Sequence, residues 1–338
     1  MGKLERVIVR EWDPGSASTA DLEAVRCVLN DAFAVDLPGD PPYQPNRFRD
    51  YLAATMPGER RFSWLGQLTP DGPPDGHASI LLLDDIGVLE LVVRPAARRA
   101  GLGHALLAQA ARHAAAEGFG AIGVEVIAGT AAVSFYEELD FRCTVVEMRN
   151  ILDLSGVDWL RLGEMAGGIG AGYRIEYHPG GPPESVFAAY AATKEAERDT
   201  GAVELRPSSY DAERLQASLS TLHARGLKPY IVLAVHEATE TIAGLTEVVV
   251  PAQRPTRADQ YDTVVLEAHR GYGVDRALKA RMLFELRAAE PQLVEVQTWN
   301  EFENDPMLNV NRELGFRPDR EWREYEADVV DLLRTLKV

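Results

Sequence analysis

The stretch Val93–His104, with the sequence VRPAARRAGLGH, decides how this chain folds. It follows Val88–Val93, an apolar run typical of a buried strand, and it leads into His104–Glu117, whose alanine- and leucine-rich pattern predicts a helix. A glycine-bearing turn at a helix N-terminus leaves backbone N–H groups free, and the helix dipole there favours negative charge. Three arginines of the stretch add positive charge. The sequence therefore predicts an anion-binding loop between a strand and a helix.

The segments around this loop complete an alternating pattern. His77–Leu83 and Val88–Val93 predict a hairpin joined at Asp84–Gly87, and Gly118 predicts the end of the helix. Downstream we expect a strand at Ile122–Ile127, a helix at Ala131–Glu138 and a strand at Phe141–Asn150.

The second half repeats this order. We expect strands at Tyr230–His236, Thr241–Val250, Thr263–Glu267, Leu293–Thr298 and Trp322–Asp328, a loop at 251–260, a glycine loop at Arg270–Asp275, and helices at Arg276–Ala289 and Pro306–Leu314. Repetition over this long a period indicates a duplicated domain. The predicted fold class is α/β (α+β), with a central mixed sheet flanked by helices in each copy. The predicted domains are residues 1–155 and 184–338, joined by a glycine- and proline-rich linker at 156–183.

Two segments of the first half resemble motifs of the GNAT superfamily of N-acetyltransferases. Arg98-x-x-Gly101-x-Gly103, after a strand that ends in V-x-P, resembles the family's pyrophosphate loop. Ala132–Phe141, with the sequence AVSFYEELDF, resembles its AxxFYexLGF segment. Two motifs in the right order are far more specific than either one.

The second half resembles the same family through Arg270–Gly273, Asn304–Met307 and Leu314–Phe316. Residues 156–183 alone lie outside the resemblance. The whole chain resembles the tandem GNAT arrangement found in bacteria.

The resemblance implies an acetyl-CoA-dependent N-acetyltransferase that needs no metal and forms no acyl-enzyme. Acetyl-CoA would lie in a V-shaped split between two central strands, so that the backbone of Leu91, Val92 and Val93 meets its pantetheine arm. The expected loop contacts are Arg98, Arg99, Ala100, Gly101, Leu102, Gly103 and His104. Tyr136 matches the tyrosine that protonates the CoA sulfur. Glu90, in mid-strand beside the expected acetyl group, is the candidate general base, ahead of His77 and His104.

Departures from the family pattern separate the halves. In the first half, Gly129 stands at an asparagine position and Asp140 replaces the glycine of LGF. In the second half, Asp275 replaces the last loop glycine and Asn311 replaces the tyrosine. A carboxylate beside a pyrophosphate repels it, so we expect the active site in the first half and a degenerate second copy, in which Glu247 would be the candidate base.

Composition limits the remaining alternatives. A net charge of −17 argues against nucleic-acid binding and favours a cationic partner, here a small-molecule amine. The chain has no stretch apolar enough for a membrane span and no secretion signal, so we expect a cytoplasmic protein. Its two cysteines, Cys27 and Cys143, lie in apolar segments and are expected to be buried. A homodimer is an open alternative to a monomer, because exposed sheet edges can pair between chains.

Three other functions compete with small-molecule acetylation. A mycothiol-synthase-like enzyme shares the tandem arrangement, and a protein acetyltransferase would need a peptide groove. A non-catalytic acyl-CoA-binding scaffold would bind thioesters without turnover.

Overall fold

The computed structural model describes residues 7–83, 86–198, 211–301 and 305–338. The chain divides into two compact units. Unit 1 comprises Met1–Val146 and Glu321–Val338, and unit 2 comprises Glu147–Arg320. These bounds differ from the two expected halves, because the C-terminal segment 321–338 belongs to unit 1.

Unit 1 contains a mixed sheet between two helical layers. Its strands are β1 (Ile8–Glu11), β2 (Arg60–Gln67), β3 (Gly76–Leu83), β4 (Ile86–Val93), β5 (Ala121–Ile127), the first part of β6 (Arg142–Asp153) and most of β12 (Arg317–Asp328). Its helices are α1 (Thr19–Asp36), α2 (Phe48–Ala53), α3 (Leu102–Ala116), α4 (Ala131–Glu137) and α10 (Val329–Leu336). Six of the strands follow the order β1-β2-β3-β4-β5-β12, in which only β4 and β5 pair in parallel.

The alternation of side chains along the strands of unit 1 separates two apolar layers. Trp64, Ile80 and Leu89 pack with helices α3 and α10 on one face of the sheet. Leu65 and Val92 pack with helices α1 and α2 on the other face. The predicted hairpin is present as β3 and β4, although its turn residues Asp84 and Asp85 lie outside the described residues. Gly118 follows helix α3 with φ +85°, which confirms the predicted helix end.

Unit 2 has the same plan. After the second part of β6, its elements are α5 (Trp159–Gly167), β7 (Tyr173–Pro179), α6 (Glu184–Arg198), α7 (Ala212–Ala224), β8 (Leu227–His236), β9 (Thr241–Pro251), β10 (Arg257–Val265), α8 (Val274–Ala289), β11 (Glu295–Glu301) and α9 (Asp305–Leu314). The strand order is β6-β11-β10-β9-β8-β7, with only β10 and β11 parallel.

Three expectations from the sequence need correction. Residues 156–183 are not a linker, because they contain helix α5 and strand β7, the edge strand of unit 2. The strand expected at Thr263–Glu267 is the end of β10, which begins at Arg257 inside the expected loop 251–260. Cys27 is half-buried and Cys143 is exposed, so the prediction of two buried thiols is wrong.

Asp140 occupies a backbone conformation that normally requires glycine. Its φ is +62°, and Gly315 at the corresponding position of unit 2 has φ +100°. Aspartate tolerates this region better than most residues, because its short polar side chain can hydrogen-bond locally. The departure from the LGF pattern therefore leaves the turn after helix α4 intact.

No helix in the described part of the chain is long and apolar enough to cross a bilayer.

Candidate active site

Strands β4 and β5 of unit 1 separate in the middle of the sheet. Their parallel pairing runs from Ile86 and Ala121 to Leu89 and Val124 and then stops. Both strands continue, and β4 stays paired with β3 as far as Val93. Among the described strands, none pairs with the β5-facing edge of Glu90–Val93. The backbone N–H and C=O groups on this edge can therefore bind an extended, amide-bearing ligand by adding to the sheet.

The loop that follows β4 ends at an uncapped helix. Arg99 and Gly101 have φ of +63° and +89°, and this left-handed turn brings the chain into helix α3 at Leu102. No described side chain caps the N–H groups of the first turn of α3. A Cβ on Gly103 would lie 3.4 Å from the ring of Phe135, at ordinary contact distance. The first turn of α3 therefore presents donors and the positive helix end to an anion.

The arginines of the loop have different roles. Arg98 donates to both carboxylate oxygens of Asp36, one at 2.9 Å, and its Nε donates to the carbonyl of Val93 at 3.2 Å. Arg94 forms an ion pair with Asp31 at 3.3 Å. These contacts fix the end of β4 to helix α1. The side chain of Arg99 is exposed, whereas that of Arg98 is held by Asp36.

Tyr136 lies in helix α4 beside the start of α3. Its ring packs at 5.0 Å from the rings of Phe135 and Phe141, and Phe135 contacts His104 at 5.2 Å. Tyr136 is 3% exposed, and its hydroxyl has no hydrogen-bond partner among the described residues. Burial raises the pKa of Tyr136 well above its usual value, so the hydroxyl stays protonated at neutral pH. The structure thus provides an O–H donor without a competing acceptor.

Glu90 projects from β4 on the face that carries helices α1 and α2. Its side chain is 51% exposed and lies 3.7 Å from the guanidinium of Arg61. Ser79, its cross-strand neighbour, donates to Glu90 Oε2 at 3.3 Å. This carboxylate can accept a proton from a group in the split, because it sits one residue beyond the last β4–β5 pair.

His77 lies two residues before Ser79 on the same face of the sheet, but it is not a general base. It is 2% exposed, and burial lowers its pKa to about 4 although Glu90 partly opposes this shift. Its ring contacts Trp12 edge-on at 5.6 Å. The imidazole is therefore neutral throughout the physiological pH range.

We expect the burial of His77 to appear in the pH dependence of stability. Its pKa in the folded state, about 4, lies below the usual 6.5, so the unfolded chain binds a proton first as pH falls. The contribution of neutral His77 to the free energy of unfolding is fully present above pH 6.5 and decreases as the pH falls towards 4. Between pH 7 and pH 5 the wild type should lose about 2 kcal/mol more than His77→Leu, measured by denaturant unfolding. Equal losses in both proteins would contradict a buried neutral imidazole.

Other residues of this site gave no readable pattern in the sequence. Arg61 and Trp12 adjoin the Glu90 side of the sheet, and each has a buried side-chain nitrogen without a hydrogen-bond partner among the described residues. Tyr325, from the C-terminal strand, donates to Glu137 at 2.8 Å, next to Tyr136. The contacts of these residues depend on strand register, which a single sequence does not contain.

Unit 2 retains the loop but closes the corresponding space. Arg270 donates to the carbonyl of Val265 at 3.2 Å, as Arg98 does to Val93, and Gly271 and Gly273 have positive φ. Asp275, however, accepts from the N–H of Arg276 in the first turn of helix α8. The carboxylate of Asp275 thus binds a backbone N–H that an anion at this helix end would need.

A segment absent from the resemblance also covers this second loop. Gly170 donates its N–H to the carbonyl of Tyr272 at 3.1 Å. The carbonyl oxygen of Gly168 lies 3.3 Å from the position that a Cβ on Gly273 would take. Residues 168–172 therefore pack directly on the glycine loop.

The remaining counterpart residues of unit 2 are internally paired. Asn311, at the position of Tyr136, is buried and binds Lys279 and Asn300, each at 2.7 Å. Glu247 is not a free base, because it binds the ammonium of Lys194 at 2.8 and 2.9 Å. Asn304 lies outside the described residues.

The comparisons with known proteins agree with this geometry. Residues 67–151 match the family model of the acetyltransferase (GNAT) domain. Among curated proteins, no sequence matches the chain significantly. Within the described residues there is no group of three or more His, Cys, Asp or Glu that could hold a metal ion.

Solved structures extend the similarity to the whole chain. A tandem GNAT protein from the clavulanic acid biosynthesis pathway superposes with a TM-score of 0.79 at 23% identity, covering 96% of this chain and 98% of that one. A GCN5-related N-acetyltransferase from Sphaerobacter thermophilus superposes with a TM-score of 0.65 at 17% identity, covering 96% of each chain. The fold is that of tandem GNAT proteins. Residues 67–151 thus match a GNAT acetyltransferase domain, within a fold that the whole chain shares with tandem GNAT proteins.

Proposed function

We propose that unit 1 transfers the acetyl group of acetyl-CoA directly to a primary amine of a small molecule. The observation that carries this proposal is the meeting, within unit 1, of the β4–β5 split, the uncapped start of helix α3 and the unpartnered hydroxyl of Tyr136. Unit 2 supports the location by contrast, since Asp275, Asn311 and residues 168–172 fill the matching positions there.

The residues of unit 1 fit acetyl-CoA along its length. The first-turn N–H groups of Leu102, Gly103 and His104, with Arg99, would hold the pyrophosphate. The edge of Leu91–Val93, which pairs with no described strand and has only its Val93 carbonyl bound by Arg98, would pair with the amides of the pantetheine arm. Acetyl-CoA supplies an activated thioester, so the chain needs no nucleophile of its own.

Glu90 and Tyr136 divide the proton transfers of the reaction. Glu90 accepts a proton from the acceptor ammonium, and the free amine attacks the thioester carbon. As the new C–N bond forms and the C–S bond breaks, the hydroxyl of Tyr136 donates its proton to the departing sulfur. The acylated nitrogen releases its second proton to solvent and becomes a neutral amide. Glu90 then returns the proton that it accepted to solvent, and the phenolate of Tyr136 regains a proton from solvent. The raised pKa of Tyr136 keeps the donor protonated before each turnover.

The test is CoA release from acetyl-CoA with a panel of primary amines. We expect release to depend on added amine and Glu90→Gln to lower kcat about 10²-fold at pH 7. The loss should shrink as pH rises, because more of the amine is then deprotonated without help. Glu164→Gln, which removes an exposed carboxylate of unit 2, is the matched control and should keep wild-type rates.

Other outcomes would favour the competing functions. Binding of acetyl-CoA without turnover of any amine would indicate a non-catalytic acyl-CoA-binding protein. Activity restricted to a cysteinyl amino-sugar would indicate a mycothiol-synthase-like enzyme, and activity restricted to peptides would indicate a protein acetyltransferase.

A further inference from the structure

The two units can be aligned residue by residue from shared contacts. Arg98 binds the carbonyl of Val93 at the end of β4, and Arg270 binds that of Val265 at the end of β10. Equivalent residues at these two strand ends therefore differ by 172 in number. Equivalent residues of β3 and β9 differ by 168 in number, because Gly76 pairs with Val93 in unit 1 and Gly244 pairs with Val265 in unit 2. Gly76 faces Leu102 and Leu106 of helix α3, and Gly244 faces Val274 and Leu278 of helix α8. These helix residues also differ by 172 in number.

Counted from the C-terminal ends of β4 and β10, Asp262 corresponds to Glu90 and Glu247 to Ser79. Asp262 lies where the β9–β10 register shifts between Gln260 and Thr263, and the register from Thr263 onward is the one that matches unit 1. In unit 1, Ser79 and Glu90 hydrogen-bond to each other, and Glu90 remains half exposed. In unit 2 the same two positions hold carboxylates that are mostly buried, and an ammonium group lies between them.

That ammonium group belongs to Lys194 of helix α6. Its Nζ lies 2.7 Å from Asp262 Oδ2 and 2.8 Å from Glu247 Oε2, and the lysine is 6% exposed. Tyr190 donates a hydrogen bond to Glu247 and completes the enclosure. Burial alone would lower the pKa of Lys194, but Glu247 and Asp262 raise it well above its usual value. Lys194 is thus a fully formed primary ammonium bound by two carboxylates.

We propose that this position of the duplicated fold is a binding site for a primary alkylammonium group, and that unit 2 fills its copy with its own Lys194. Unit 2 therefore cannot accept an amine. For unit 1 the inference rests on the proposed function: the acceptor binds as a primary ammonium at the half-exposed carboxylate of Glu90, beside the guanidinium of Arg61, which lies 3.7 Å away.

Chemical rescue tests this site. Lys194→Ala removes the last three methylenes and the ammonium, and n-propylammonium replaces those atoms. The variant leaves two carboxylates without their cation, so we expect it to be strongly destabilised. Adding about 100 mM n-propylammonium should raise its Tm by about 3 °C or restore folding, and should leave the Tm of the wild type unchanged. Tetramethylammonium, which has the same charge but no N–H donor, should not raise the Tm.

Two matched variants complete the test. Lys194→Met keeps the space filled and should gain nothing from n-propylammonium. Lys194→Ala combined with Glu247→Gln and Asp262→Asn removes the carboxylates and should also gain nothing. If n-propylammonium neither raises the Tm of Lys194→Ala nor restores its folding, or rescues all three variants equally, the inference is wrong. The experiment contains no acetyl-CoA, so its failure is distinct from a failure of acetyl transfer in unit 1.

Discussion

Replacing Tyr136 with phenylalanine should lower kcat for acetyl transfer about 10²-fold or more while leaving the affinity for acetyl-CoA nearly unchanged. The substitution keeps the ring that packs on Phe135 and Phe141 and removes only the hydroxyl. That hydroxyl has no hydrogen-bond partner among the described residues, so its loss should not destabilise unit 1. Steady-state CoA release and acetyl-CoA titration together measure the two effects.

Tyr325→Phe is the matched control for this prediction. Tyr325 is also a buried tyrosine of unit 1, but its hydroxyl donates to Glu137. We expect the control to lose about 1 kcal/mol of stability with little change in kcat. Wild-type turnover in Tyr136→Phe would show that another donor protonates the departing sulfur and would remove Tyr136 from the chemistry.

Replacing Lys279 with methionine should stabilise unit 2 by about 2 kcal/mol at pH 7. Lys279 is 3% exposed within the apolar core of unit 2, and Asn311 accepts its hydrogen bond. Burial lowers the pKa of Lys279 to about 7, partly offset by Asp275. The folded state must therefore discharge or desolvate an ammonium group that the unfolded chain carries in water. Methionine has a similar shape without that cost, although it leaves Asn311 with one partner fewer.

The pH dependence gives this prediction a sharper form. Between pH 7 and the ordinary lysine pKa of 10.5, the unfolded chain holds a proton that folded Lys279 releases, so stability rises with pH. From pH 7 to pH 9 the wild type should gain about 2 kcal/mol relative to Lys279→Met in denaturant unfolding. Lys337→Met, at an exposed lysine, should follow the wild type. Parallel curves for wild type and Lys279→Met would contradict a discharged buried lysine.

The loop and the tyrosine helix were predictable because their determinants are local. Gly101 and Gly118 mark left-handed turns, and the apolar pattern after Gly101 extends the helix. The same holds for the degenerate features of unit 2, since Asp275 and Asn311 are visible as single departures from a repeated pattern. The structure adds what these residues do: Asp275 accepts from its own helix, and Asn311 binds Lys279.

The unit boundaries were not predictable, because they depend on strand pairing. The second part of β6, in the N-terminal half of the sequence, pairs with β11 of the C-terminal half. Conversely, β12 near the C-terminus pairs with β5 of the N-terminal half. Alternating apolar and polar residues identify a strand but not its neighbour. The same limit hid the ion pair of Lys194 with Asp262, whose residues lie far apart in sequence.

The most direct test of the account is a calorimetric titration of the protein with acetyl-CoA. It compares the wild type with Gly103→Asp, Gly103→Asn and Asp275→Gly. A side chain at Gly103 meets the ring of Phe135 only at ordinary contact distance, so the two variants at this position differ mainly in charge at the anion loop. The account predicts one site, lost in Gly103→Asp, retained in Gly103→Asn and unchanged in Asp275→Gly. One site that is insensitive to Gly103→Asp would move the binding to unit 2, and no binding in any of the proteins would contradict the acetyl-CoA site altogether.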